Sequence, residues 1–139
     1  MITIEQIRPE LTWRLRQQVL YPAQKLYEME LDEDNDGIHF GAFTDDKLVG
    51  IISLFHQGAV FQFRKLAVLP EYQKTGIGNS LLNRVETYAH SEHGTSVWCN
   101  ARISAIGFYL KSGYNHTGRL FSKNGFDYEI LEKTIKKPV

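Results

Sequence analysis

Residues 60–80 read VFQFRKLAVLPEYQKTGIGNS, and the fold is read outward from them. Residues 60–68 alternate and end in the apolar Leu66, Ala67 and Val68, as a strand does. Pro70 stops that strand, and Gln73, Lys74, Thr75, Gly76, Ile77, Gly78, Asn79 and Ser80 open a helix whose apolar face continues through Leu81, Leu82, Val85, Tyr88 and Ala89. The first amides of a helix have no internal partner and carry the positive end of its dipole, so a strand–turn–helix of this kind can cradle a pyrophosphate. Glycine at 76 and 78 removes the side chains that would block the approach. A Gly-x-Gly ahead of a helix is equally the mark of a plain structural turn.

Upstream, residues 2–7 alternate like a strand, Pro9 suits a first helical turn, and Leu11, Leu15, Val19 and Leu20 recur at helical spacing. After an acidic stretch at 32–37, residues 38–43 and 48–55 predict two strands that form an antiparallel meander with 60–68. Downstream, 96–100 reads as a strand, 103–111 as a helix closed by Gly113, and 114–121 and 126–132 as two last strands. The order predicts a mixed sheet with helices on its faces.

The chain has 139 residues, 42% of them hydrophobic, and its sixteen basic and sixteen acidic residues cancel. Such a chain suits one domain over residues 1–139. Without a net field, nucleic acid is not expected as a partner, and no apolar run reaches the roughly 20 residues that span a bilayer. The lone Cys99 and the start MITIE, which lacks a secretory pattern, point to a reducing cytoplasm.

Two blocks together resemble the GNAT superfamily of N-acyltransferases. The first is the strand ending in Ala67 and Val68, then Pro70, Gln73, Gly76 and Gly78; the second is Asn100, Ala101, Arg102, Ala105, Phe108, Tyr109, Lys111, Gly113 and Tyr114. The likeness is specific over about residues 60 to 115. It implies an α/β (α+β) fold with a mixed, mostly antiparallel six- to seven-stranded sheet and about four helices on its faces. It also implies acetyl-CoA as cosubstrate, with no metal. Leu66, Ala67, Val68, residues 73 to 80, Asn100, Arg102, Phe108 and Lys111 would contact that cosubstrate. In the family the strand of residues 60–68 splays from that of 96–100 and the pantetheine arm lies in the gap. Arg102 stands where many members have Asn.

By the same resemblance, Tyr109 matches the tyrosine that protonates the departing sulfur after direct attack by an amine, so Cys99 is not required as a nucleophile. Helix spacing alone favours a core residue beside Phe108 for Tyr109, and the family block turns the reading to the acid. Where members carry a glutamate early in the strand before the cradle, this chain has Gln62, and an amide cannot act as a base. Proton loss from the amine then runs through a water chain or through His39, His56, Glu71 or Asp127. A non-catalytic acyl-CoA-binding module of the same fold is the alternative.

Asp32, Asp34, Asp36 and Gly37 reproduce half of a calcium loop, but the twelfth position is Phe43 where a bidentate Glu is needed. A solvated acidic loop, or one that attracts a cationic amine, are the remaining readings. Trp13, Trp98, Phe61 and Phe63 fit packing or a pocket wall, and Lys133, Lys136 and Lys137 a solvated terminus. The resemblance implies a small-molecule or peptide amine as acceptor, its pocket expected to be shaped by the least recognisable stretch, roughly residues 21–37, and a strand edge or the terminal strands could support a homodimer.

Overall fold

Strand β4 (Val60–Val68) has the bounds its alternation predicts. The computed structural model describes residues 1–135; Lys136 and Lys137 lie outside them. The chain order is β1 (Ile2–Ile7), a 3-10 turn (Pro9–Thr12), α1 (Trp13–Leu15), a π turn (Arg16–Leu20), β2 (Ile38–Thr44), β3 (Lys47–Gln57), β4, α2 (Ile77–Ser91), β5 (Ser96–Arg102), α3 (Ile106–Lys111), β6 (Asn115–Lys123) and β7 (Phe126–Thr134). Seven strands form one sheet in the order β1-β2-β3-β4-β5-β7-β6. β1 and β2, β2 and β3, β5 and β7, and β6 and β7 run antiparallel, while β4 and β5 are parallel. The mixed, mostly antiparallel sheet expected from the sequence is therefore present, with seven strands.

The helix count is lower than the expected four. Residues 9–20 form a helical stretch that changes from 3-10 through α to π winding. Beyond it, 21–37 holds only the 3-10 turns Leu26–Met29 and Asp34–Asp36. Residues 103–111 likewise split into a 3-10 turn and the six-residue α3.

By its contacts the described chain divides into two compact units. The first comprises Met1–Phe55 and Phe63–Tyr88, the second His56–Gln62 and the chain from Ala89 onward. In the first, buried Leu15, Ile51 and Ala67 anchor a core joined by Ile7, Val19, Leu20, Leu48 and Leu69. Helix α2 buries Ile77, Leu81, Leu82 and Val85, the stripe read from its 3.6-residue spacing. It lies close on β3 because position 50 is glycine: a Cβ there would come within 3.1 Å of Ile77 and of Leu81. In the second unit Phe61, Val97, Cys99, Ala101, Tyr114 and Leu131 are buried. Three pairs, Val60 with Ser96, Phe61 with Val97 and Gln62 with Trp98, carry its parallel register.

Candidate functional site

The turn between β4 and α2 lies in the first unit and is tied at several points. Leu69 N–H donates to the Val49 carbonyl at 2.9 Å, Tyr72 N–H to Leu69 and Gln73 N–H to Pro70. The Gln73 amide reaches back and donates to the Val68 carbonyl at 2.9 Å, and the Thr75 hydroxyl donates to Tyr72 O. Gln73 thus acts here as a clamp on the strand end. Gly76 takes φ +91°, and a Cβ there would meet no atom within 4 Å, so the space above the turn is open. Lys74 is also left-handed, at φ +63°.

The helical ladder starts where Ser80 N–H donates to Gly76 O at 3.0 Å, a carbonyl that also accepts from the Ser80 hydroxyl at 3.1 Å. Amides ahead of that bond precede the ladder at the positive end of a fifteen-residue helix. Gln73, Lys74, Thr75, Gly76, Asn79 and Ser80 are exposed, Gly78 is half-buried and Ile77 is buried into the core. Leu66 is half-buried, while Ala67 and Val68 are buried. An ordered turn with open space above glycine at the head of a long helix fits a phosphate-bearing ligand.

The second unit holds the remaining candidates. Tyr109 on α3 is half-buried, with ring centroids 5.2 Å from Phe108 and 6.2 Å from Tyr114. Burial pushes its hydroxyl well above the ordinary phenol range; the nearby Cys99 adds to this and Arg102 opposes it. Tyr109 therefore keeps its proton at neutral pH. Cys99 is buried and its thiol is pushed up to about 12 by burial alone. The Arg102 guanidinium lies 3.9 Å from the centre of the Phe126 ring, engaged with an aromatic. Asn100, Phe108 and Lys111 are exposed.

His39 is 2% exposed. Its Nε2 lies 2.8 Å from the Asp34 carbonyl, which only accepts, so Nε2 carries the proton and Nδ1 accepts from the Ser53 hydroxyl at 2.7 Å. Burial holds His39 below the ordinary histidine range, against the Asp34 carbonyl and charge. Both nitrogens are committed, and His39 is structural. His56 is exposed and stacks on Phe61, Asp127 accepts from Ser122, Glu71 is exposed and Gln62 is half-buried.

The acidic loop is not a solvated one at its centre. Asp34 is 2% exposed and accepts from Arg16 Nη1 and Nη2 at 2.9 Å each, from Trp13 Nε1 at 3.2 Å and from Leu31 N–H at 3.0 Å. Arg16 is fully buried and also donates to Met29 O and Ser53. Burial would raise the Asp34 pKa, but the Arg16 hydrogen bonds, the Leu31 amide and the Arg16 charge together hold it below the usual carboxylate range. Its oxygens are taken by an arginine, which leaves none for calcium or for an incoming amine. Among the described residues no cluster of three or more His, Cys, Asp or Glu side chains is arranged to hold a metal ion, and no helix is long and apolar enough to cross a membrane.

Sequence reasoning gave no place to one residue of β4. Lys65, in β4, takes φ +59° and donates to the Tyr21 hydroxyl at 2.6 Å. Alternation gave no sign of this, since it assumes an extended backbone throughout.

The sequence pattern of the "Acetyltransferase (GNAT) domain" family matches residues 5–135. The chain belongs to the GNAT acetyltransferase family. Among curated relatives, this GNAT chain is 27% identical over 146 residues to "Uncharacterized N-acetyltransferase YitI" of Bacillus subtilis (strain 168), covering 98% of each chain. Solved structures share the GNAT fold. An aminoglycoside 6'-N-acetyltransferase complexed with coenzyme A matches at TM-score 0.82 and 18% identity, over 99% of each chain. A GNAT family acetyltransferase from Elizabethkingia anophelis with acetyl-CoA bound matches at TM-score 0.72 and 20% identity, over 96% of this chain and 97% of that one.

Proposed function

We propose that the chain transfers an acetyl group from acetyl-CoA to a primary amine, with Tyr109 as general acid. The observation that carries this reading is the ordered β4–α2 turn with open space over Gly76 at the head of a long helix. Family membership and the coenzyme-bound relatives of the same fold support it. Residues 73 to 80 would receive the pyrophosphate, and Leu66, Ala67 and Val68 the pantetheine arm. Asn100, Arg102, Phe108 and Lys111 belong to the proposed contacts as well. A cytoplasmic setting, as a single domain, goes with the proposal.

The neutral amine attacks the thioester carbon, an N–C bond forms and the C–S bond breaks. The sulfur takes the proton of the Tyr109 hydroxyl, the amine nitrogen loses a proton to water, and Tyr109 is reprotonated from solvent. Burial keeps Tyr109 protonated at neutral pH, as an acid must be, and makes its phenolate short-lived. Backbone N–H donors near Val68 would stabilise the developing oxyanion.

Gln62 in place of a glutamate supports a second reading, an acyl-CoA-binding module without catalysis. The test is thermal stabilisation by acetyl-CoA in the parent and in Gly76→Glu, followed by coenzyme A release with an amine panel. A ligand at one hundred times its Kd adds about 2.7 kcal/mol, so the parent Tm should rise and that of Gly76→Glu should not. No shift in the parent removes the acetyltransfer reading. A shift without transfer to any amine leaves the binding module.

A further inference from the structure

We propose that Lys65 is an anion subsite for the acceptor, and that the amine substrate carries a carboxylate. This deepens the acetyltransfer reading and rests on it. Lys65 is half-buried within β4, one residue before Leu66. Its left-handed φ of +59° breaks the strand's alternation, a strained conformation for a side chain-bearing residue that surrounding structure must hold in place. The ammonium donates to Tyr21 Oη at 2.6 Å and sits 4.4 Å from the centre of that ring. Tyr21 opens the 21–37 segment that the sequence assigns to the acceptor pocket.

Three cations gather here, and two are answered. Arg16 is paired with Asp34 and Arg64 with Glu33. Among the described residues no carboxylate forms an ion pair with Lys65; Tyr21 favours its charged form, while Arg64 and Arg16, both of its own sign, oppose it. Burial pulls its pKa below the lysine range, the Tyr21 hydroxyl opposes this, and the two guanidinium groups add to it. A half-buried ammonium without a counter-charge is costly, and a protein that needed only packing there would place an apolar chain. A carboxylate on the substrate supplies the missing charge. The same field repels polyamines and other multiply cationic acceptors.

The test measures acetyl-CoA-dependent thiol release with a panel of L-amino acids and their carboxamides, each pair differing only at the carboxyl group. Parent, Lys65→Met and Lys65→Glu are compared, and the ratio between enzymes cancels the different amine pKa values of acid and amide. The parent is expected to favour its best acid over the matching amide by about tenfold or more in kcat/KM, as one charge-assisted hydrogen bond allows. Lys65→Met should lose that factor mainly through KM, and Lys65→Glu should turn the preference toward the amide. Should Lys65→Met fail to fold, Tyr21→Phe keeps the ring, removes the hydroxyl that seats the ammonium and should reduce the preference. A panel in which no acid outruns its amide, total inactivity included, overturns the proposal, as does a preference unchanged in Lys65→Met. Acetyl-CoA stabilisation is measured in parallel: its absence brings down the acetyltransfer reading and this one with it, whereas its presence with amides used as well as acids removes the carboxylate subsite alone.

Discussion

Replacing Asp34 by Asn removes the counter-charge of a fully buried guanidinium. In the parent the carboxylate takes both terminal nitrogens of Arg16 at 2.9 Å and also serves Trp13 and Leu31. After the substitution the Asn amide oxygen can still accept from one Arg16 nitrogen, beside Met29 O and the Ser53 hydroxyl, but the negative charge is lost and the new NH2 donor replaces the second acceptor facing the guanidinium or Trp13 and Leu31. Arg16 Nε already lacks a partner among the described residues. Breaking one side of a buried pair costs about 3–5 kcal/mol, a large share of a stability of about 5–15 kcal/mol. With a urea slope of about 1–3 kcal/mol per M, the unfolding midpoint should fall by roughly 2 M. Arg16→Met leaves Asp34 able to take a proton and keep Trp13 and Leu31, so the double variant should cost clearly less than the two singles summed. Equilibrium urea unfolding of all four proteins measures the cycle. An Asp34→Asn cost below about 1 kcal/mol, or singles that simply add, would refute the buried-pair account.

Gly76→Ala should fold and lose about 1 kcal/mol, because the cost is backbone strain at φ +91° and not collision; thermal unfolding without ligand measures it, and a neutral result would contradict the geometry. Tyr109→Phe should retain acetyl-CoA stabilisation while transfer slows by about 10²-fold or more, checked by single-turnover kinetics; unchanged turnover would remove its role as acid. Native Cys99, with its thiol pushed up to about 12, should resist iodoacetamide at pH 8 for hours and react promptly in urea, as mass spectrometry would show. Both His39 and Asp34 have folded pKa values below their unfolded ones, so the unfolded chain binds protons first. Stability should decline as pH falls below about 6.5 and again below about 3.9, and be retained above both; His39→Gln should flatten the first step in pH-dependent unfolding.

The parts of the fold legible in the sequence are those ruled by a single local period. β4, the apolar stripe of α2 and the turn between them depend on alternation, on 3.6-residue spacing and on Pro70, Gly76 and Gly78, all visible in one dimension. Residues 9–20 have helical spacing, yet the winding starts tight and loosens along the stretch where Thr12, Leu15 and Arg16 are buried. Asp34 read as solvated because its partner Arg16 lies eighteen positions away, and charge pairing at that distance leaves no periodic trace. Tyr109 and the cradle carried a family pattern. Lys65 carried none, since its meaning lies in a backbone angle and in the tyrosine forty-four positions before it.

The hydrogen bonds within the β4–α2 turn bear on kinetics. Gln73 on Val68, Thr75 on Tyr72 and Ser80 on Gly76 fix the turn from both sides before any ligand arrives. Conformational freedom is then given up during folding and not at encounter. On the proposed reading, an anion reaching this turn meets a surface already ordered, and its arrival rate is set by diffusion and orientation. Changes to the turn that keep it folded should leave that rate nearly constant and act on residence time.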